Sequence, residues 1–208
     1  MIFDVYGYPV YKGKFSKGED VLRYIEECKI GPSDKWNAKC LVSSSDGSSQ
    51  VNDESMQVFN DIIFNEIVEH GKKMLEELDI NVKMSPSECG HIKCTECQDI
   101  WINKYVKGHS QDLHWHLNPE KDILFSFTYF AKYDPKKDAR FVFVNAMPRE
   151  FRDEEINKHK AFTIQMIPEI EEGDIIIFPC WLLHYVETQK TDNERITMAG
   201  NFFKLKEY

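Results

Sequence analysis

The stretch that decides the fold is DLHWHLNPEKDILFSFTYF, residues 112–130. Its second half is an alternating, aromatic-rich run, which is typical of a β-strand. With the histidines at the start of this strand, alternation puts His114 and His116 on one face and Trp115 on the other. The backbones of such residues are roughly 7 Å apart, so both rings can reach one metal ion. Two solvated histidines on an edge strand are the alternative interpretation.

Further strands are predicted in the C-terminal half. From residue 98 onward the apolar period is strand-like, and Gly, Pro, Asp and Lys turns separate the segments. The predicted strands are DIWINKYV, ILFSFTYFAKY, RFVFV, AFTIQMI, DIIIFP and RITMAGNFF. Because helices precede strands without alternating with them, a parallel βαβ sheet is disfavoured. We predict a mainly β fold with N-terminal helices, an antiparallel sandwich or jelly roll.

The N-terminal third contains two predicted helices. Ser16 and Glu19 match a capping box, and apolar residues follow at helical spacing as far as Cys28. Between about residues 54 and 79, apolar side chains recur every three or four positions, which predicts a long amphipathic helix. This helix either covers the sheet or mediates a homodimer.

The composition of the 208-residue chain indicates one globular domain. Its 35 acidic residues outnumber its 26 basic residues, and the net charge of −9 disfavours nucleic acid as a partner. No apolar run has the length of a membrane span, and the N-terminus lacks a signal-peptide pattern. We therefore expect a cytoplasmic protein, whose six cysteines are mostly reduced.

The C-terminal third adds further candidate site residues. His184 lies just beyond the apolar strand of residues 175–178, and Arg195 follows eleven residues later. In a strand, Arg195 and Thr197 share one face. A guanidinium forks onto a carboxylate, and the neighbouring hydroxyl is a second donor. This pair suits a small dicarboxylic acid.

On these motifs the chain resembles the Fe(II)/2-oxoglutarate-dependent oxygenases, in particular the prolyl-hydroxylase-like branch and its short members from phages and bacteria. The resemblance covers about residues 99–203 and rests on NKYVKGHSQDLHWHLNP, FSFTYF, EEGDIIIFPCWLLH and ERITMAGNF. It implies a double-stranded β-helix, the cupin-like jelly roll. We expect a single domain over residues 1–208, with the catalytic core in 98–208 and a helical support region with leading strands in 1–97.

The resemblance also implies roles for individual residues. His114 and His184 are the implied metal ligands, and Arg195 and Thr197 the implied anchors of 2-oxoglutarate. Tyr105 stands about where this branch has a tyrosine that contacts 2-oxoglutarate. The implied cofactors are Fe(II), 2-oxoglutarate and O₂. The implied reaction hydroxylates a protein or peptide side chain, or a small molecule, and releases succinate and CO₂.

The chain departs from the family pattern at His116, which occupies the place of a carboxylate. Two histidines and a carboxylate reduce the charge at Fe(II), whereas three neutral histidines keep it at +2. We take His114, His116 and His184 as the leading catalytic and metal-binding set. Asp112, on the same predicted strand face, is an alternative source of the carboxylate, and a degenerate or empty site is a third outcome.

A different function is also consistent with these residues. A cupin-type protein or enzyme could bind metal through three histidines without using 2-oxoglutarate. Arg195 separates the two hypotheses, because the oxygenase needs it in the metal pocket, whereas a surface ion pair with Glu194 or Asp192 favours the cupin. A third alternative is an interaction domain without enzymatic activity.

Several other residues have weaker functional interpretations. Cys180 is expected to be buried, and residues 145–160 are either a lid or a solvated insertion. CGHIKCTEC invites a structural zinc site, although reduced cysteines in a loop explain it as well. Its candidate ligands are Cys89, His91, Cys94 and Cys97. The aromatic residues that could line the site are Phe127, Tyr129, Phe178 and Trp181, although core packing is the default role for each one. The histidines expected at the surface are His70, His91, His109 and His159.

Overall fold

The computed structural model describes residues 1–32, 38–43, 57–87, 99–145 and 164–205. The helices in these ranges are α1 (Gly18–Glu27), a π-helical segment (Phe59–Ile63) and α2 (Phe64–Glu77). The strands are β1 (Ile2–Val5), β2 (Tyr8–Lys14), β3 (Ile30–Pro32), β4 (Ala38–Lys39), β5 (Leu41–Ser43), β6 (Met84–Ser85), β7 (Ile100–Tyr105), β8 (Ser110–His114), β9 (Ile123–Lys132), β10 (Phe141–Val144), β11 (Gln165–Met166), β12 (Asp174–Pro179), β13 (His184–Val186) and β14 (Arg195–Lys204).

The described strands form two antiparallel sheets. The major sheet has the order β1-β2-β12-β9-β14-β7-β5-β3, with β6 also paired to β14. The minor sheet has the order β11-β10-β13-β8-β4. Neighbouring strands are often distant in sequence, because the chain crosses between the sheets as in a jelly roll. The predicted mainly β jelly roll with N-terminal helices is therefore confirmed.

Strand β12 shows why the central strands are apolar on both faces. Ile175 and Ile177 belong to a core between the major sheet and the helices. Ile176 and Phe178 point the other way, into a second core that also contains Phe141 of the minor sheet. A strand buried on both faces gives a continuous apolar run instead of an alternating one, as DIIIFP does.

The long amphipathic helix covers the outer face of the major sheet. It is helical from residue 57 to Glu77 within the described part of the predicted range. Its apolar stripe packs into the same core as Phe127, Tyr129 and Phe202 of the sheet. The buried residues of this stripe are Phe59, Ile63, Phe64, Ile67, Met74 and Leu75. Of the helices in the described ranges, none combines the length and apolar character needed to cross a bilayer.

The capping box predicted for the first helix is wrong. Helix α1 begins after Lys17, which makes no side-chain capping hydrogen bond. The main-chain nitrogen of Ser16 instead donates to the carboxylate of Glu66 in α2. The helix itself is present, because Val21 and Ile25 bury its apolar face.

The two site histidines do not open a strand, which corrects the expectation for residues 112–130. His114 is the last residue of β8, and His116 lies beyond the end of that strand. Strand β8 is the polar segment SQDLH, so its sequence lacks the apolar alternation by which strands are recognised. The leading strands β1 and β2 extend the major sheet next to β12.

Gly200 provides a test of the packing at the centre of the major sheet. A Cβ atom at this position would lie 2.6 Å from the main-chain oxygen of Asp99 and 2.7 Å from the ring of Phe127. We expect Gly200→Ala to lower the free energy of unfolding by about 1–3 kcal/mol, measured by urea denaturation. Gly31→Ala is the matched control, because no atom of the described residues lies within 4 Å of its Cβ position. Equal effects of the two substitutions would contradict the close approach.

Candidate functional site

Three histidines converge at one end of the minor sheet. His114 of β8 and His184 of β13 are direct cross-strand partners. His116 is held beside them because its main-chain nitrogen donates to the Cys180 oxygen at 2.8 Å. Each histidine offers a ring nitrogen, and these three atoms lie within 4.8 Å of one another. The structure therefore brings together all three side chains of the predicted metal-binding set.

The hydrogen bonds of the three rings assign their tautomers. Nδ1 of His114 and Nδ1 of His184 each lie 2.8 Å from the main-chain oxygen two residues earlier. Nδ1 of His116 lies 2.8 Å from Oδ1 of Asn201. Since each partner is an oxygen acceptor, each Nδ1 carries the proton and each Nε2 keeps a lone pair. A lone pair on Nε2 is what a metal ion needs.

Burial keeps the three imidazoles neutral. Removal from water lowers the pKa of His114, and it lowers that of His184 well below the ordinary value. For His116, burial together with the neighbouring His114 lowers the pKa to about 4. The cluster is therefore uncharged at neutral pH and can accept a cation without first releasing protons.

Asp112 does not join the cluster, so the alternative ligand set with this carboxylate is wrong. Its carboxylate is half-exposed and pairs with Lys39 at 3.3 Å. The register of β8 against β13 shifts by one residue between His114 and Gln111, as in a β-bulge. Because of this shift, Gln111 lines the cavity with His114. Nothing in the sequence signals the bulge.

Arg195 lies inside the protein, and no carboxylate of the described residues pairs with it. It is fully buried, and within the described ranges none of its three guanidinium nitrogens has a hydrogen-bond partner. The guanidinium carbon lies 4.6 Å from the ring centre of Tyr105 and 5.4 Å from that of Phe130. A buried cation without an acceptor is costly. The arrangement therefore suits an anionic ligand.

Arg195 does not form the surface ion pair with Glu194 or Asp192 that would favour the cupin hypothesis. Glu194 instead pairs with Lys132 at 3.3 Å and with Lys104, and Asp192 pairs with Lys107 at 3.1 Å. The observation that would have favoured a three-histidine cupin without 2-oxoglutarate is thus contradicted.

Tyr105 and Thr197 lie on the same inner face as the guanidinium. Tyr105 is the cross-strand partner of Arg195, and its hydroxyl donates to Oε1 of Gln111 at 2.8 Å. Burial raises the pKa of this phenol, so Tyr105 stays neutral and remains a hydrogen-bond donor. Thr197, which is 1% exposed, also faces the cavity.

One cavity contains all six predicted site residues. It has about 310 Å³ of empty space, part of which is open to solvent. The three histidines lie in its wall with Arg195, Thr197 and Tyr105. The other residues of its wall are Trp101, Asn103, Gln111, Thr128, Phe141, Val186 and Ala199.

The four aromatic residues considered for the wall do not line the cavity, and three of them pack in the cores. Phe127 and Tyr129 point to the helix side of the major sheet, and Trp181 is 44% exposed. Phe178 lies behind His184, with ring centres 4.9 Å apart. The aromatic rings that do line the cavity are those of Trp101, Tyr105 and Phe141. Trp101 stacks on His116 at 5.6 Å, and Phe141 stacks on His184 at 5.1 Å.

Among the remaining expectations, the structure confirms the one for Cys180 and corrects the one for His70. Cys180 is buried, as predicted. His70 is also buried, which corrects its predicted surface position, and its Nδ1 lies 3.0 Å from the hydroxyl of Tyr11. His109 lies outside the histidine cluster. The candidate zinc ligands, residues 146–160 of the candidate lid and the histidines at 91 and 159 lie outside the described residues.

Comparisons with known proteins agree with this geometry. Residues 99–201 match the family described as "Putative 2OG-Fe(II) oxygenase". A comparison with curated proteins found no match.

Solved structures with the same fold include two prolyl hydroxylases. One is a prolyl-4-hydroxylase of Pseudomonas putida, with 11% identity, a TM-score of 0.59, and coverage of 96% of this chain and 94% of that one. Another is the viral collagen prolyl hydroxylase of Paramecium bursaria Chlorella virus-1 in complex with 2-oxoglutarate, with 11% identity, a TM-score of 0.55, and coverage of 94% and 96%.

A third similar structure is HygX of Streptomyces hygroscopicus with nickel, 2-oxoglutarate and hygromycin B bound. Its identity to this chain is 13% and its TM-score is 0.56, with coverage of 95% of this chain and 83% of that one. At these identities the likeness establishes the fold.

The depressed pKa of His116 predicts the sign of a pH effect on stability. In the unfolded chain this histidine takes up a proton near its ordinary pKa of 6.5, whereas in the folded protein it resists protonation down to about pH 4. The metal-free protein should therefore lose stability as the pH falls through this window. We expect His116→Gln to reduce that loss by roughly 1–3 kcal/mol, measured by urea unfolding at several pH values.

His109→Gln is the control for this measurement, because His109 lies outside the cluster. It should leave the pH dependence unchanged. If wild type and His116→Gln lose stability equally on acidification, the buried neutral state of His116 is contradicted.

Proposed function

We propose that this chain, which belongs to the 2-oxoglutarate-Fe(II) oxygenase family, binds Fe(II) through His114, His116 and His184 and binds 2-oxoglutarate through Arg195. Its cofactors are Fe(II), 2-oxoglutarate and O₂. The observation that carries the proposal is a buried guanidinium without an acceptor that shares one cavity with three converged imidazoles.

The donor set fits Fe(II). Each imidazole presents the lone pair of Nε2 because its Nδ1 carries the proton, and on His114 that lone pair has only a long contact of 3.4 Å with Nε2 of Gln111. Imidazole is a ligand that suits iron, and three protein ligands leave further positions for other groups. Since none of the three is charged, the metal would keep its full positive charge and attract an anionic cosubstrate more strongly than with a carboxylate ligand.

The anion-binding end of the cavity fits 2-oxoglutarate. A guanidinium donates two parallel hydrogen bonds to a carboxylate, and the donors of Arg195 have no competing acceptor among the described residues. The rings of Tyr105 and Phe130 hold the guanidinium by cation–π contact. The hydroxyl of Thr197, two residues along the same strand face, would be a further donor to the distal carboxylate. The hydroxyl of Tyr105 would be another once it exchanged its present acceptor, Oε1 of Gln111, for the carboxylate.

The bound cofactors supply the oxidising chemistry, in which O₂ is consumed, 2-oxoglutarate becomes succinate and CO₂, and a substrate carbon is hydroxylated. The chain contributes a shaped and partly dry site. Trp101 and Phe141 stack on two of the histidines and limit access of water to the ring faces. The buried Arg195 and Tyr105 fix the direction in which the dicarboxylate enters.

For the primary substrate we propose a protein or peptide side chain, with proline as the first candidate. Two prolyl hydroxylases among the similar structures support this choice. HygX, with hygromycin B bound, supports a small molecule as the other class. We also propose that residues 98–208 are the catalytic core of a single domain and that residues 1–97 support it.

Substitution of Arg195 tests the assignment of the cosubstrate site. Arg195→Met should lower the affinity for 2-oxoglutarate on the order of 100-fold or more, because a buried charge-assisted contact is lost. The metal-free variant should be as stable as wild type or more stable, because an unpaired buried cation is replaced by an apolar chain of similar length. Calorimetric titration of the Ni(II)-loaded protein gives the affinity.

Two further variants sharpen this experiment. Arg195→Lys keeps the charge but loses the fork, so its affinity should be intermediate. Arg140→Met is the matched control, because Arg140 pairs with Glu187 at the surface and should not affect binding. Wild-type affinity in Arg195→Met would remove 2-oxoglutarate from this end of the cavity.

Succinate formation tests the reaction and the substrate class. With Fe(II), 2-oxoglutarate and O₂ present, we expect slow succinate release that a proline-containing peptide accelerates, and a peptide product heavier by one oxygen atom. Succinate and product masses are measured by mass spectrometry, with Arg195→Met as the inactive control. Acceleration by small molecules alone would assign the other substrate class. Bound 2-oxoglutarate without any succinate under these conditions would contradict the oxygenase function.

A further inference from the structure

A hydrogen-bonded chain connects His116 to a carboxylate outside the cavity wall. Oδ1 of Asn201 accepts a hydrogen bond from Nδ1 of His116 at 2.8 Å, and Nδ2 of Asn201 donates to Oδ2 of Asp99 at 2.7 Å. The hydroxyl of Ser126 donates to the same Oδ1 at 2.7 Å. Asn201 and Ser126 are buried, with 4% and 0% of their surface exposed. We refer to His116, Asn201 and Asp99 as the relay.

Asp99 determines which group donates and which accepts in each hydrogen bond of the relay. A serine hydroxyl can donate or accept, a neutral imidazole has two tautomers, and an amide group fits either way round. An ionised carboxylate can only accept. The amide of Asn201 must therefore turn its Nδ2 towards Asp99 and its Oδ1 towards His116. The proton of His116 is then required on Nδ1, which leaves Nε2 free.

The main chain and a neighbouring ring hold the members of the relay in place. The main-chain nitrogen of Asn201 donates to the Asp99 oxygen at 3.1 Å, beside the β7–β14 pairing. The ring of Trp101 stacks on His116 with an interplanar angle of 18°. The orientation of the imidazole is thus fixed by the hydrogen bond to Asn201 at its edge and by the Trp101 ring on its face.

His116 differs in this respect from the other two histidines of the cluster. His114 and His184 bond through Nδ1 to main-chain oxygens, which are acceptors in any sequence. At Nδ1, His116 is the one of the three whose partner is a side chain. It is also the position at which the resembling oxygenases have a carboxylate.

We propose that Asp99 is a positioning residue that acts through Asn201 to commit His116 to the tautomer whose Nε2 binds the metal. The proposal rests on the metal-binding role of His116 and goes beyond it, because it accounts for a working histidine at the carboxylate position. The carboxylate of Asp99 supplies a negative charge, but two hydrogen bonds separate it from the imidazole of His116. Such supporting groups orient a ligand and raise its basicity.

Substitutions of Asp99 distinguish its effect on the orientation of the Asn201 amide from its effect on packing. Asp99→Asn keeps the size of the side chain but allows both amides to turn over, so that a donor can face His116. Asp99→Ala removes the acceptor altogether. The main-chain pairing of residue 99 persists in both variants, so the fold should be retained. Asp192→Asn is the matched control, because Asp192 pairs with Lys107 at the surface.

Two readouts test the proposal. Long-range ¹H–¹⁵N correlation spectra of the metal-free protein, at a pH where the imidazoles are neutral, report which ring nitrogen of His116 carries the proton. Titration with Co(II) reports the metal affinity. We expect only the Nδ1-protonated form in wild type and Asp192→Asn, and a mixture in Asp99→Asn. The metal affinity of both Asp99 variants should fall about 10- to 100-fold.

Several results would overturn the proposal. One is a His116 tautomer that is unchanged in Asp99→Asn. Another is an altered tautomer with undiminished metal affinity, since the relay would then not serve the metal. Failure of the wild-type protein to bind metal would remove the metal-binding function itself. Because the tautomer is measured without metal, that failure is distinguishable from failure of the relay.

Discussion

The pairing of β14 with β7 on one side and β9 on the other is the constraint on which the site depends. One face of this strand carries, in order, Arg195, Thr197, Ala199 and Asn201, which face the cavity or the relay. A shift of one residue would turn all four to the helix side and bring apolar residues inwards. The anion-binding end and the support of the metal-binding end are thus positioned by a single register.

The buried charge and the desolvated rings of the cavity favour ligand binding but lower the stability of the folded protein. A buried guanidinium without an acceptor among the described residues and three desolvated imidazoles each lower the stability of the folded chain by itself. Their cost is offset by two apolar cores, one on each face of the major sheet. An anion and a cation bound together would satisfy both ends of the cavity. Binding of each should therefore stabilise the folded state.

Those site residues whose spacing follows strand periodicity could be predicted from the sequence. Alternation groups His114 with His116 and Arg195 with Thr197, whereas the family resemblance implies His184 as a ligand. All five lie in the wall of one cavity. The β-bulge in β8 could not be predicted, so Asp112 was given the place that Gln111 takes. Alternation also does not indicate which face of a doubly buried strand lines the site. The aromatic residues considered for the wall therefore differ from those that line the cavity.

Contacts between residues that are distant in sequence could not be predicted either. The relay joins residues 102 positions apart, and no motif assigns a role to Asp99 or Asn201. His70 was expected at the surface because its sequence neighbours are polar, yet the fold places it beside Tyr11. The jelly roll itself was predictable because its strands after residue 98 are rich in apolar and aromatic residues. The strands within polar segments, such as β8, were not.

The central claim is that three histidines hold Fe(II) so that 2-oxoglutarate can chelate it while its far carboxylate meets Arg195. The most direct measurement is the visible absorption spectrum of the Fe(II)-loaded protein, recorded without oxygen during titration with 2-oxoglutarate. The account predicts a metal-to-ligand charge-transfer band that grows to saturation. A protein with Fe(II) demonstrably bound and no such band at saturating 2-oxoglutarate would contradict it.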